Sequence, residues 1–161
     1  MTCEQCGAPM RLHRDQGIFV CDYCASQAVP PIDDDGVSLI GPAKETCPVC
    51  SAGLSNGLIE SVDLLFCQHC RGMLIKMDDF QLLVSGLRMH RGAPAAFISP
   101  RSSTDDGRAM KCPTCGGTMD NHPYGGGGNV PVDSCESCGV LWLDRGELRR
   151  IVSAPDFVAY T

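Results

Sequence analysis

Residues 112–119 read Cys112-Pro-Thr-Cys115-Gly-Gly-Thr-Met119, and residues 135–138 read Cys135-Glu-Ser-Cys138. Each segment sets two cysteines at C-x-x-C spacing, and 19 residues separate Cys115 from Cys135. Four thiolates in two close pairs, one short gap apart, are the donor pattern of a tetrahedral metal site. The pattern occurs twice more. Cys3 and Cys6 precede Cys21 and Cys24 with a gap of 14 residues, and Cys47 and Cys50 precede Cys67 and Cys70 with a gap of 16. Together these are all 12 cysteines of a 161-residue chain, with none left over.

Two other uses of cysteine fit the count less well. A disulfide framework belongs to secreted chains, and the chain opens Met-Thr-Cys with no apolar signal segment. A thioredoxin-type redox pair normally occurs once, in a β-α context, not six times. The spacing predicts three zinc ions, each held by four cysteines. Iron suits the same four thiolates, as in rubredoxin, and is the alternative that spacing leaves open. The scarcity of aromatic residues around most knuckles favours zinc.

Gap lengths and internal similarity indicate which pairs share an ion. The gaps between the three couples are 22 and 41 residues, longer than the gaps inside them. The leading knuckles also repeat: Cys3-Glu-Gln-Cys6-Gly-Ala-Pro-Met10, Cys47-Pro-Val-Cys50-Ser-Ala-Gly-Leu54 and Cys112-Pro-Thr-Cys115-Gly-Gly-Thr-Met119. Each carries Met or Leu four residues after its second cysteine. Consecutive pairs are therefore expected to share an ion in a zinc ribbon, two β-hairpin knuckles closed on one metal. A cross-brace, with alternate pairs sharing an ion, is the other arrangement the pairs allow. Gly7, Gly116 and Gly139 supply the positive φ that tight knuckle turns require.

The predicted fold is three tandem zinc ribbons built of short β-hairpins, the second and third each followed by a short α-helix. Residues 1–29 form the first ribbon, and Ile18, Phe19 and Val20 give a strand into its second knuckle. Residues 30–45 read as an acidic, proline-containing linker, with Pro30, Pro31, Asp33, Asp34, Asp35, Gly36 and Gly41; Val37, Leu39 and Ile40 allow one short strand within it. Residues 46–91 form the second ribbon and a helix, since Phe80, Leu83, Val84 and Leu87 recur at helical spacing behind Asp78 and Asp79. Residues 92–107 read as a second linker. Residues 108–161 form the third ribbon, a helix and an apolar tail. That helix opens Asp144-Arg-Gly-Glu147, a capping-box pattern with Asp144 as N-cap and Glu147 at N3. Leu148, Ile151 and Val152 give its apolar face, and Pro155 ends it. The hairpin tip Tyr124-Gly-Gly-Gly-Gly-Asn129 reads as a loop and not a phosphate cradle, because no Lys-Ser/Thr follows.

The third unit resembles the transcription-factor-IIB-type zinc-binding family of small bacterial ribbons. The residues that carry the resemblance are Cys112-Pro113 and Cys115, then Val132-Asp133 with Cys135, Cys138 and Gly139, then Trp142-Leu143-Asp144 with Gly146-Glu147-Leu148 and Ile151. The second unit looks like a degenerate copy. With Cys70 set on Cys138, Leu74 falls at Trp142, Ile75 at Leu143, Lys76 at Asp144, Asp79 at Glu147, Phe80 at Leu148 and Leu83 at Ile151. The first unit is similar only at its cysteines and knuckle turns. The resemblance implies a ribbon fold and zinc binding, and it implies no reaction. Trp142 is expected to pack between the third ribbon and its helix.

Function follows from surfaces. Four thiolates leave no open coordination position for water or substrate, so the sites are expected to be structural and the chain no enzyme. His13, His69, His90 and His122 are scattered; His69 lies inside a C-x-x-C beside a full cysteine set. Net charge is −6 with cysteines neutral. Three four-thiolate zinc sites would take it to about −12, which disfavours direct nucleic-acid binding. The expected role is a protein-interaction module, an adaptor or small subunit of a larger assembly. Its partners would be met at residues 88–101, the helix faces or the tail 155–161. A ribbon contacting RNA polymerase or nucleic acid is the second reading, and rubredoxin-like electron transfer the third. No apolar run is long enough to span a membrane, and the cytoplasm is the expected compartment.

Overall fold

The structure, a computed structural model, describes residues 1–33, 35–92, 108–124 and 130–155. Strands β1 (Met10–His13), β2 (Ile18–Cys21) and β3 (Gln27–Ala28) form a small antiparallel sheet in that order. Its apolar content is slight. Phe19 is buried opposite Leu12, and Met10 pairs with Cys21 across the hairpin.

Among the remaining described residues the strands build one seven-stranded sheet. Its elements are β4 (Ser38–Thr46), β5 (Gly53–Ile59), β6 (Val62–Phe66), β7 (Met73–Lys76), helix α1 (Met77–His90), β8 (Asp120–Pro123), β9 (Pro131–Cys135), β10 (Val140–Leu143) and helix α2 (Glu147–Ser153). The strand order is β4-β5-β6-β7-β10-β9-β8, antiparallel at each pairing. The second and third ribbons thus share a continuous sheet. The expectation of separate units on tethers does not hold for this pair.

The joint has local two-fold symmetry. Strand β7 follows the second knuckle of ribbon two as β10 follows that of ribbon three. Their register pairs Leu74 with Trp142, Met73 with Leu143 and Ile75 with Leu141. With Cys70 set on Cys138, Leu74 and Trp142 are equivalent positions, and the flanking pairs exchange on rotation about them. Strands β6 and β9, then β5 and β8, extend the symmetry outward. Among the described residues, strand β4 is matched in ribbon three only by the bridge between Lys111 and Thr118.

Alternation along β7 and β10 divides the core into two layers. Met73, Ile75, Leu141 and Leu143 face the helices, where Phe66, Phe80, Leu83, Leu148 and Ile151 join them. Leu74 and Trp142 face the other way, into a layer with Leu54, Met110, Met119 and cysteines of both ribbons. Trp142 is fully buried in this second layer and not between ribbon and helix. Its ring lies over Gly72 of ribbon two, where an added Cβ would overlap Cζ2 and stand 2.9 Å from Cε2.

The helices meet across the dyad. The helical stripe of α1 is as expected, with Phe80, Leu83 and Val84 buried and Leu87 partly so. Arg88 donates to the Ile151 carbonyl at 2.8 Å, and Arg91 donates to the carbonyls of Val152 and Ala154. Two arginines of the basic segment 88–101 therefore satisfy the free carbonyl end of α2. Residues 93–107, including Arg101, lie outside the described residues, as do 125–129 and 156–161.

The capping box of α2 is half formed. Glu147 accepts from the Asp144 N–H at 2.8 Å, but α2 starts at Glu147 behind Gly146 in the left-handed region. The Asp144 carboxylate is drawn elsewhere. It accepts from Trp142 Nε1 at 2.9 Å and from Arg108 at 2.8 Å.

In the stretch 30–45 the short strand allowed at Val37, Leu39 and Ile40 is present, and the acidic run is what departs from expectation. Val37 is fully buried in the helix-side core, and Ser38 onward is the strand β4. Asp33 and Asp35 are not a solvated run: both pair with Arg71, at 3.3 and 2.7 Å. Asp33 Oδ1 also accepts from the N–H groups of Asp35 and Val37. Asp34 lies outside the described residues. An exposed ion pair from Arg14 to Asp63 links the two sheets.

Candidate metal centres

Each set of four cysteines is assembled by two knuckles. In five of the six knuckles the first cysteine closes a tight turn with two backbone bonds: Gly7 N–H to the Cys3 carbonyl and Cys3 N–H to the Ala8 carbonyl, both 2.8 Å, are the pattern. The same pair recurs from Cys21, Cys47, Cys67 and Cys112. The sixth knuckle turns more tightly, through Cys138 N–H to the Cys135 carbonyl at 3.3 Å. The residue after the second cysteine has positive φ in all six: Gly7 (74°), Ala25 (59°), Ser51 (61°), Arg71 (65°), Gly116 (73°) and Gly139 (63°). Glycine adopts this region freely, whereas Ala25, Ser51 and Arg71 hold it at a cost of about 1–2 kcal/mol each. The sequence repeat showed the glycines; the other three answer the same geometric demand without the same residue.

The turns bring the thiols together in chain order. Cys3, Cys6, Cys21 and Cys24 form one set, Cys47, Cys50, Cys67 and Cys70 the second, and Cys112, Cys115, Cys135 and Cys138 the third, with all Sγ atoms of a set within 4.8 Å of one another. Individual separations are 3.5 Å for Cys3–Cys24 and Cys6–Cys21, 3.4 Å for Cys47–Cys70, 3.5 Å for Cys50–Cys67 and 3.7 Å for Cys115–Cys135. Zinc–sulfur bonds of about 2.3 Å in a tetrahedron place sulfurs about 3.8 Å apart, so each set could hold a zinc ion with little adjustment. The grouping excludes the cross-brace.

The local electrostatics are those of closely crowded thiol donors. The Ser26 hydroxyl, 3.0 Å from Cys24 Sγ, lowers that thiol to about 6. The Gly117 N–H lowers Cys115 to about 7. The contact with Cys115 pushes its neighbour Cys138 up to about 12, and burial pushes Cys70 up. Like charges this close cannot all ionise unaided; a divalent ion inverts that penalty. Further donors point at sulfur, with Val49 N–H on Cys47 and Cys70 N–H on Cys67, each at 3.4 Å. His69 is no member of the second set. Its ring assists the Cys50 thiolate, whose pKa the Ala52 N–H lowers first. His90 bonds the Gly86 carbonyl and His122 the Ser134 hydroxyl, away from any cluster.

The sets differ in shelter. Cys6 and Cys24 of the first and Cys115 of the third are exposed, while the second set has no exposed member. Trp142 and Leu74 lie in the apolar layer that contains cysteines of the second and third sets.

Four ordered thiols, a paired hairpin and a following helix recur in the third unit as the resemblance required. Residues 111–154 match the model of the transcription factor zinc-finger family. The third unit is a zinc ribbon of the transcription-factor-IIB type. The four-cysteine sets at residues 3–24 and 47–70 make the first and second units further ribbons beside it. No curated protein and no solved structure matches the chain. Ribbons of this family are generally non-enzymatic. No helix among the described residues is long and apolar enough to cross a membrane.

Proposed function

We propose that the chain is a non-catalytic, zinc-stabilised interaction module, an adaptor or small subunit of a larger protein assembly in the cytoplasm. All 12 cysteines serve as ligands to three zinc ions in this reading, and the metal's part is to cross-link each pair of knuckles. Once four thiolates are bound, each site is closed to substrate. What remains for function is surface.

The observation that carries the proposal is the display of large apolar side chains on an acidic molecule. Tyr23 is 80 % exposed, and Leu82 and Met89 on the outer side of α1 are 69 % and 79 % exposed. Leu82 and Met89 stand two turns apart on one stripe of the helix. Such side chains on an acidic surface suit a protein partner. The basic segment 88–101 and the tail 155–161 are further places where a partner would be met.

The test is affinity capture of tagged protein from its native host, with metal analysis of the product. Three zinc per chain and a stoichiometric partner that is lost in the Leu82→Asp/Met89→Asp variant are expected. A partner retained at full occupancy by that variant would move the contact elsewhere. Visible absorption with iron in the product would replace zinc by iron and favour electron transfer.

The family description favours a second reading, a ribbon that contacts RNA polymerase or nucleic acid. The charge of −6 opposes direct contact with phosphates. A salt-dependent gel shift with duplex or single-stranded nucleic acid would decide for it.

A further inference from the structure

The two sides of the dyad at the β7–β10 seam are equivalent in backbone but not in side chains. On one side Trp142 lies diagonally against Gly72. On the other, the equivalent diagonal is Leu74 against Val140. A very large residue meets the smallest one, and two of middle size meet each other.

We propose that the β7–β10 seam is a self-complementary ribbon-pairing surface made selective by Trp142 and Gly72. Ribbon three accepts ribbon two of the same chain and refuses a second copy of itself. A seam with this register is isologous: the same strand edge of two like ribbons meets itself about a two-fold axis. Alone, ribbon three would bring the same edge to a second copy, and each Trp142 would then fall on Val140. No room exists there for both, since at the native position even a single Cβ on Gly72 would overlap the indole. Ribbon two paired with itself would set Leu74 over Gly72 on both sides and leave two voids. Only the mixed pair fills both diagonals, so the clash and the voids discriminate against the two like pairs. The bond from Met77 N–H to the Gly139 carbonyl, 2.9 Å, extends the mixed seam by one residue.

The test uses the full-length, zinc-loaded chain. Gly72→Val reproduces on the Trp142 side the residue found at Val140, and Trp142→Leu reproduces Leu74. Each single change is expected to speed amide exchange in residues 73–76 and 140–143 by at least about tenfold. The double variant G72V/W142L carries the Leu–Val diagonal on both sides and is expected to regain protection beyond either single variant. If Gly72→Val does not yield folded protein, recovery of folded G72V/W142L is the same rescue. A double variant no better than Gly72→Val overturns the proposal.

Selectivity is tested by G72V/V140G, which closes the native diagonal and opens the one that a second copy would present. This variant is expected to double its mass relative to wild type in light scattering. Wild-type mass in G72V/V140G would overturn the selectivity, even with the rescue in hand.

Discussion

Ribbon one and the paired ribbons answer the same metal chemistry with opposite amounts of core. In residues 1–29 the buried apolar side chains are Cys3, Phe19 and Cys21, two of them members of the four-cysteine set. The pair buries two layers, one between sheet and helices and one between the two cysteine sets. A unit of about 30 residues cannot bury enough surface to fold by itself, and metal must supply the difference. The pair escapes part of that limit by pooling two sheets into one. Zinc is thus expected to be the whole fold of ribbon one and only a large share of the fold of the pair.

The strongest way to break that contrast is to remove metal. A tight chelator is expected to unfold the chain, with residues 1–29 losing their dispersed amide signals first and the sheet later. Where zinc fills a four-cysteine set, apparent binding on the order of 10–16 kcal/mol is at stake there. Folded signals that persist after all zinc is released would end the argument. Cys21→Ser should lose only the small sheet, while Cys67→Ser should disturb both members of the pair, as followed by exchange at β7 and β10.

Trp142→Ala comes next. It empties the cysteine-side layer and is expected to cost the pair about 3–5 kcal/mol. Chemical denaturation followed by NMR should show the midpoint of residues 36–92 and 108–155 falling together, with ribbon one unmoved. A drop confined to ribbon three would mean that the two ribbons are not one cooperative unit.

Arg88→Ala should act more weakly, by about 1–3 kcal/mol, because it strips a charged donor from the end of α2. Amide exchange in residues 147–154 should rise before any change elsewhere.

The smallest expected effect sharpens the comparison from the other side. Ala25→Gly relieves a left-handed residue in ribbon one and should stabilise it by about 1 kcal/mol. Melting of the zinc-loaded first ribbon should rise, and the sheet of the pair should melt as before.

The metal sets were legible because ligand spacing is a local property. Two cysteines three residues apart on a tight turn leave little choice of geometry, and short gaps choose the partner knuckle. The helical stripe from Phe80 to Leu87 was legible for the same reason. The seam was not, since it joins residues 64 to 70 positions apart in the chain. A signal was nonetheless present. Met73-Leu-Ile and Val140-Leu-Trp-Leu143 are apolar without alternation, which marks strands buried on both faces. An isolated hairpin ribbon would show one polar face. Trp142 was misplaced because the helix was the only apolar neighbour that ribbon three offered in sequence, whereas Gly72 gives no hydrophobic signal at all. Asp33 and Asp35 read as solvated for lack of a visible cation; Arg71 lies 36 residues beyond Asp35.

Strand β4 has a consequence for how the molecule ends. Among the described residues, the sheet without it would be a palindrome of six strands whose two rims were alike, and like rims invite endless stacking. The extra strand makes the rims different. On one side lies β4, interrupted by Pro42 and by register shifts at Leu39/Gly41 and Pro42/Thr46. On the other lies β8, four residues long, wholly exposed and closed by Pro123. Among the described residues neither rim presents a long, straight row of free donors and acceptors, which disfavours the addition of a strand from another molecule.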